Sequence, residues 1–163
     1  MSQYYIIDGY NMLHAIPSLQ ELLDLSLENA RKQLEQMVEL YCRSGKIDAI
    51  IVYDSRTMPD VFDHYQNFQQ PTVVFAGSGK SADDFIIAEA EKKGSRDTTV
   101  VSNDKIIREN ASRAGCLVES PENFFVLLNK KVGKSGDKPK KYKQDNLNKD
   151  EIKEWIDLFK KKN

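Results

Sequence analysis

The stretch Tyr4-Tyr5-Ile6-Ile7-Asp8-Gly9-Tyr10-Asn11 decides how this chain is read. Four apolar or aromatic residues run straight into an aspartate, a glycine and an asparagine. A short continuous apolar run suits a strand buried on both faces of a parallel sheet. Asp8 then stands at the carboxyl end of that strand, where open α/β sheets keep their ligand crevice. Gly9, without a Cβ, is expected to let the backbone turn sharply there. One aspartate ending one strand is a weak signal. It gains weight only if other strands bring acids to the same rim.

Working outward, residues 47–53 read as a second buried strand, ending in Asp54. Thr72–Ala76 is a third, followed by a turn at Gly77-Ser78-Gly79-Lys80. Residues 98–102 form a fourth, leading to Asn103-Asp104, and 116–119 a short fifth. Between them lie helical patterns. Ser18-x-x-Glu21 is a capping-box pattern that predicts a short helix over 19–25. Ser26 caps a longer helix with Leu27, Ala30, Leu34, Met37, Val38 and Tyr41 at helical spacing, stopped by Gly45. Ser81-x-x-Asp84 opens a helix to about Lys93. Ile106, Ile107, Ala111 and Ala114 mark another, stopped by Gly115. Ser120-Pro121 starts a last core helix with Phe124, Phe125, Leu127 and Leu128, using proline at the first helical position. Strands alternating with helices predict an α/β fold of Rossmann-like, three-layer type, with a mostly parallel central sheet of about five strands. Residues 55–71, with Pro59 and scattered aromatics, read as a long loop with one helical turn. Loops of that length in compact domains are usually functional.

The net charge of −1 conceals an uneven distribution. Residues 1–128 carry 12 Lys/Arg against 19 Asp/Glu, residues 129–149 carry 8 Lys against 2 Asp, and residues 150–163 balance at four each. This predicts a domain over 1–128, a Lys-rich linker over 129–147 and an amphipathic helix over 148–163 with Ile152, Trp155, Ile156 and Phe159 as its apolar stripe. An acidic body with a basic tail suggests a polyanionic partner or a metal site. Cys42 and Cys116 have no metal-ligand spacing and, with no signal segment, read as reduced thiols of a cytoplasmic protein. No run of 18 apolar residues predicts a membrane span.

Four successive strands therefore lead to acids on one rim: Asp8, Asp54, the pair Asp83 and Asp84 in a first helical turn, and Asp104. Like charges gathered this way raise one another's pKa unless a cation neutralises them. An all-oxygen set suits Mg²⁺ or Mn²⁺, which can activate water and neutralise charge on a phosphodiester during in-line attack. Taken singly, Asp83 and Asp84 are ordinary first-turn acids complementing a helix dipole, and Asp104 is an N-cap. Their recurrence after successive strands favours a metal site.

Ile-Asp-Gly-Tyr-Asn at 7–11, Val-Tyr-Asp at 52–54, Ser-Ala-Asp-Asp at 81–84 and Ser-Asn-Asp at 102–104 resemble the NYN domains, specifically the YacP-like branch of the PIN-like nucleases. The resemblance spans about residues 3–128. It implies a PIN-like fold and a metal-dependent endoribonuclease using Mg²⁺ or Mn²⁺, with RNA as partner and, from one type of branch member, mRNA on the ribosome. It implies that Asp8, Asp83 and Asp104 are the catalytic, metal-binding acids. Asp54 and Asn11 become supporting groups and Asp84 an auxiliary acid, standing where the branch more often has glutamate.

Other signals compete. Gly77-Ser78-Gly79-Lys80-Ser81 is short of a P-loop, because the required first glycine is Val74, and Asp83 and Asp84 would repel an anion there. A phosphatase of the haloacid-dehalogenase type wants an aspartate two residues after Asp8, where Tyr10 stands. His14 and His64 fit no shared ligand pattern. Candidate RNA contacts are Arg56, Lys80, Lys105, Arg108 and the tail lysines Lys140 and Lys141 as phosphate partners, with Tyr65 as a base-stacking group. A non-catalytic RNA- or ribosome-binding module, a structure-specific DNA nuclease and a phosphatase are the alternatives.

Overall fold

The apolar run that opens the chain forms β1 (Gln3–Asp8), the central strand of a six-stranded sheet. Its Ile6 and Ile7 are both completely buried, on opposite faces, each contributing roughly 1.5–3 kcal/mol through removal from water. The computed structural model describes residues 2–55, 64–66, 70–77 and 79–135, with 64–66 and 131–135 described by their backbone alone. After β1 come α1 (Gly9–Ala15), α2 (Pro17–Leu25), α3 (Leu27–Arg43), β2 (Ile47–Asp54), β3 (His64–Gln66), β4 (Thr72–Ala76), α4 (Ala82–Lys93), β5 (Thr98–Val101), α5 (Lys105–Arg113), β6 (Leu117–Glu119) and α6 (Pro121–Ser135).

The strand order is β3-β4-β2-β1-β5-β6. Five strands are parallel, and β3 pairs antiparallel with β4 at one edge. Strand side chains alternate between faces, so two cores form. Tyr5, Ile7, Ile51, Tyr53 and Phe75 pack with α1, α2, α3 and α6. Ile6, Ile50, Val52, Val74 and Val100 pack with α4 and α5. Phe124 fixes α6 over the first core through ring contacts with Tyr5 and Tyr41.

The predicted α/β fold with a mostly parallel sheet is the one observed. Ser26 caps α3 by accepting from the Asn29 N–H at 3.3 Å. Ser81 and Asp84 form the reciprocal capping box of α4. One expectation needs correction. The helix predicted from Ser18 begins instead at Pro17, and Ser18 is buried in its first turn, so the proline and not a capping box sets its start. The segment after β1 is helical at once. Within 55–71, Ser55 has 3-10 conformation and His64–Gln66 forms the edge strand β3, while 56–63 and 67–69 lie outside the described residues. Helix α6 runs to Ser135. Residues 136–163, with the rest of the linker and the C-terminal apolar stripe, lie outside the described residues.

Gly9 has a different duty from the one its position suggested. It is the buried first residue of α1. A Cβ there would meet the Tyr53 ring at 2.3 and 2.4 Å and the Val52 carbonyl oxygen at 3.0 Å. Tyr53 cannot retreat easily, because it is completely buried between Tyr10 at 5.2 Å and Phe75 at 5.5 Å, ring centre to ring centre. Glycine is therefore required for close approach. Gly9→Ala is expected to destabilise the protein by about 1–3 kcal/mol through overpacking. An unchanged urea midpoint in equilibrium unfolding would show that Tyr53 gives way freely.

Candidate active site

From β1 the chain builds β2 and β4 on one side, then returns to lay β5 and β6 on the other. The carboxyl ends of β1 and β5 thus bound a topological switch point, where α/β sheets open a crevice. Asp8 ends β1 on the face shared with α4 and α5, by the same alternation that buries Ile6 there. It is only 8% exposed.

Ser102, just beyond β5, is wholly buried beside it. Its hydroxyl donates to Asp8 Oδ2 at 3.0 Å and accepts from the Asp104 backbone N–H at 3.0 Å. One small side chain thereby ties the end of β1 to the start of α5. Asp104 is the N-cap of α5, its Oδ1 accepting from the Ile107 N–H at 3.0 Å. Its other carboxylate oxygen stays available, so the capping role does not use up the group. The Asn11 side-chain oxygen accepts from the Asn103 N–H at 2.8 Å. Asn103 in turn donates through Nδ2 to both oxygens of Glu122, at 3.1 and 3.3 Å. The rim is held by bonds between strands, not by local loop geometry alone.

Burial pushes the Asp8 carboxyl from 3.8 up to about 6. The Ser102 hydroxyl and the Asn11 backbone N–H oppose that rise, while the charges of Asp83 and Asp104 add to it. The Asp8 carboxyl therefore lies in the field of both Asp83 and Asp104. Asp54 stands on the same face, but Asp8 is in register with Val52, so Asp54 lies two residues farther out along β2, roughly 6.6 Å. Asp84 turns to its own capping box, its Oδ2 accepting from the Ser81 N–H at 3.4 Å. Among the described residues, no three His, Cys, Asp or Glu side chains stand close enough to hold a metal ion between them.

Of the other candidates, Lys80 is exposed, and Lys105 is exposed one residue beyond Asp104. Arg108 is half-buried and donates through Nη1 to the Ser102 carbonyl at 2.9 Å. Arg56, Lys140 and Lys141 lie outside the described residues, and of Tyr65 only the backbone, in β3, is described. The sequence reading gave no role to Ser102, Asn103 or Glu122. The signal available for Ser102 was its place two residues before a strand-end aspartate. Both cysteines are buried, and burial pushes both thiols up, so neither suits nucleophilic chemistry. Cavities of about 430 Å³ open away from the acids, one at the sheet's opposite end beside Cys42 and Ile47, the other along α5.

The switch-point crevice, the parallel sheet and the strand-end acids define a PIN-like α/β domain. The chain belongs to the YacP-like NYN domain family, a family of nuclease type, whose profile matches residues 5–160. Crystal structures of Rae1 (YacP) from Bacillus subtilis have the same fold. One, of a single-site mutant, is 22% identical with a TM-score of 0.66, covering 80% of this chain and 76% of that one. Another is 24% identical with a TM-score of 0.64, covering 80% and 75%. No curated protein matches the sequence. Among the described residues, no helix is long and apolar enough to cross a membrane.

The raised Asp8 carboxyl has a consequence for stability. The folded protein holds this proton more tightly than the unfolded chain, so stability is lost as pH rises from 3.8 to about 6. Above that range the buried charge costs on the order of 3 kcal/mol. In chelator at pH 7, Asp8→Asn should therefore melt higher than the unsubstituted protein, and the difference should vanish near pH 4. Thermal unfolding across that range checks it; an equal or lower melting temperature for Asp8→Asn at pH 7 goes against it.

Proposed function

We propose that this protein is a metal-dependent ribonuclease that cuts RNA phosphodiester bonds internally, with Mg²⁺ or Mn²⁺ as cofactor. The observation that carries the reading is the buried Asp8 carboxylate, repelled by Asp83 and Asp104, in a chain of this family. A buried carboxylate among other acids at an open sheet edge is costly to keep without a cation. Oxygen-only donors suit a hard divalent ion, and Mg²⁺ binds through one or two carboxylates while retaining several waters. Three acids need not close tightly around it. Bound there, the cation supplies Lewis acidity to the phosphodiester oxygens and to water.

The chain's own residues have distinct duties in this reading. Asp8, Asp83 and Asp104 hold the ion, and Asp54 and Asp84 tune the outer charge. Ser102 fixes the Asp8 carboxylate, and Asn11 orients a water or a ligand oxygen. Lys80, Lys105 and Arg108 draw the phosphates to the rim, with mRNA on the ribosome as the context that the family resemblance implies. Labelled single-stranded RNA incubated with Mn²⁺ should be cleaved, with activity abolished by chelator and lowered at least a thousandfold by Asp8→Asn or Asp104→Asn. That loss corresponds to about 4 kcal/mol of transition-state stabilisation. Undiminished cleavage by Asp8→Asn would sink the mechanism.

A second reading rests on the spacing of the acids: with no three carboxylates converging among the described residues, the domain serves as an RNA-binding module. Binding without cleavage under every metal condition would favour it, and cutting of flapped DNA but not RNA would favour a DNA nuclease. The basic tail has its own test. Removing residues 136–163, which leaves α6 whole, should weaken RNA binding and flatten its salt dependence. An unaltered slope excludes the tail as an RNA contact.

A further inference from the structure

A cavity of about 430 Å³ runs along the outer flank of α5 beside the edge strand β6, lined by Arg108, Glu109, Ser112, Arg113 and Val118. We infer that this groove seats the ribose–phosphate backbone of the RNA strand as it leaves the carboxylate rim. The inference rests on the reading of RNA as the ligand. It adds Arg113 and Ser112 to the binding surface and gives the strand a direction across the domain.

Three observations converge. First, one lining residue links the groove to the site. Arg108, at its upper end, is bonded to the carbonyl of the same Ser102 whose hydroxyl holds Asp8. Second, its charge suits a polyanion. One guanidinium donor of Arg108 is engaged by Ser102, which leaves other donors of its planar fork for a phosphate. Arg113, five residues and about 7.5 Å farther down the helix, is exposed. No ion pair holds Arg113 among the described residues. The exposed Ser112 lines the same groove. Third, the groove's one acid, Glu109, is drawn toward Lys105 at 3.9 Å, an exposed and weak pairing that leaves it a mild opponent of any anion. Val118 supplies an apolar floor for the ribose.

Binding of labelled single-stranded RNA, measured in chelator over a range of salt concentrations, tests this. Arg113→Gln should weaken binding and lower the slope of log K against log salt by about 0.7, one phosphate contact for a single strand. Arg113→Lys should restore the slope, because the charge is kept, while recovering only part of the affinity. Glu109→Gln should tighten binding. In the cleavage assay Arg113→Gln should raise KM far more than it lowers kcat. Equal salt slopes for the unsubstituted protein and Arg113→Gln, with cleavage intact, would overturn the groove and leave the nuclease reading standing. An arginine-dependent slope in a protein that cuts nothing would do the reverse. A protein that binds no RNA overturns both.

Discussion

The alternation of side chains along β1 governs the arrangement of this molecule. Within a strand of six residues, period two sends Tyr5 and Ile7 into one core and Ile6 and Asp8 toward the other. A shift of one residue would carry Asp8 to the face covered by α1, α3 and α6, away from α4 and α5. Ile6 and Ile7, both at zero exposure, make such a slip prohibitive. The hydrophobic cores thus select which helices Asp8 can meet. Asp83 and Asp104 belong to those helices, so the acidic rim is a by-product of core register.

That placement has an energetic cost that the surroundings partly offset. Burial works against the Asp8 charge, and two neighbouring carboxylates add to the difficulty. Ser102 and the Asn11 N–H lean the other way, as charge-assisted donors do. Close by on the opposite face, the Arg31 guanidinium lies 5.8 Å from the Tyr53 ring centre and 5.3 Å from that of Phe75. Glu35, one helical turn from Arg31, is pushed up to about 7 by burial, which Arg31 and Lys32 oppose. The rim is therefore flanked by strained electrostatics on both faces of the sheet. Native proteins accept local cost of this kind chiefly where function needs it.

Much of the fold was legible because the period-two and helical patterns are strong where burial is complete. The 17 residues of α3 announce themselves through Leu34, Met37, Val38 and Tyr41. Short elements carry no such signal. Helix α1 spans 7 residues, opens on glycine and contains asparagine, both poor helix formers, so tertiary contact rather than propensity sustains it. Strand β3 has 3 residues and takes its register from β4. Residue pattern alone read Asp83 and Asp84 alike as first-turn acids, and only the family resemblance ranked one above the other. Adjacent helical residues differ by about 100° in direction, and here one acid meets the field of Asp8 while the other closes a capping box.

The same distinction explains why Ser102 matters more than its size suggests. A strand-end aspartate presents a carboxylate, but sequence does not say what aims it. Here the aim comes from a hydroxyl that simultaneously positions the first backbone N–H of the Asp104 segment. The Ser102 carbonyl adds Arg108 to the same construction, and Asn103 links Asn11 to Glu122 at the start of α6. Three consecutive residues after β5 thus set the relative positions of β1, α1, α5 and α6. A substitution in this tripeptide would disturb acids contributed by distant parts of the chain without removing any of them. In this fold the residues that carry charge and the residues that place it are separable, and only the former stand out in a sequence.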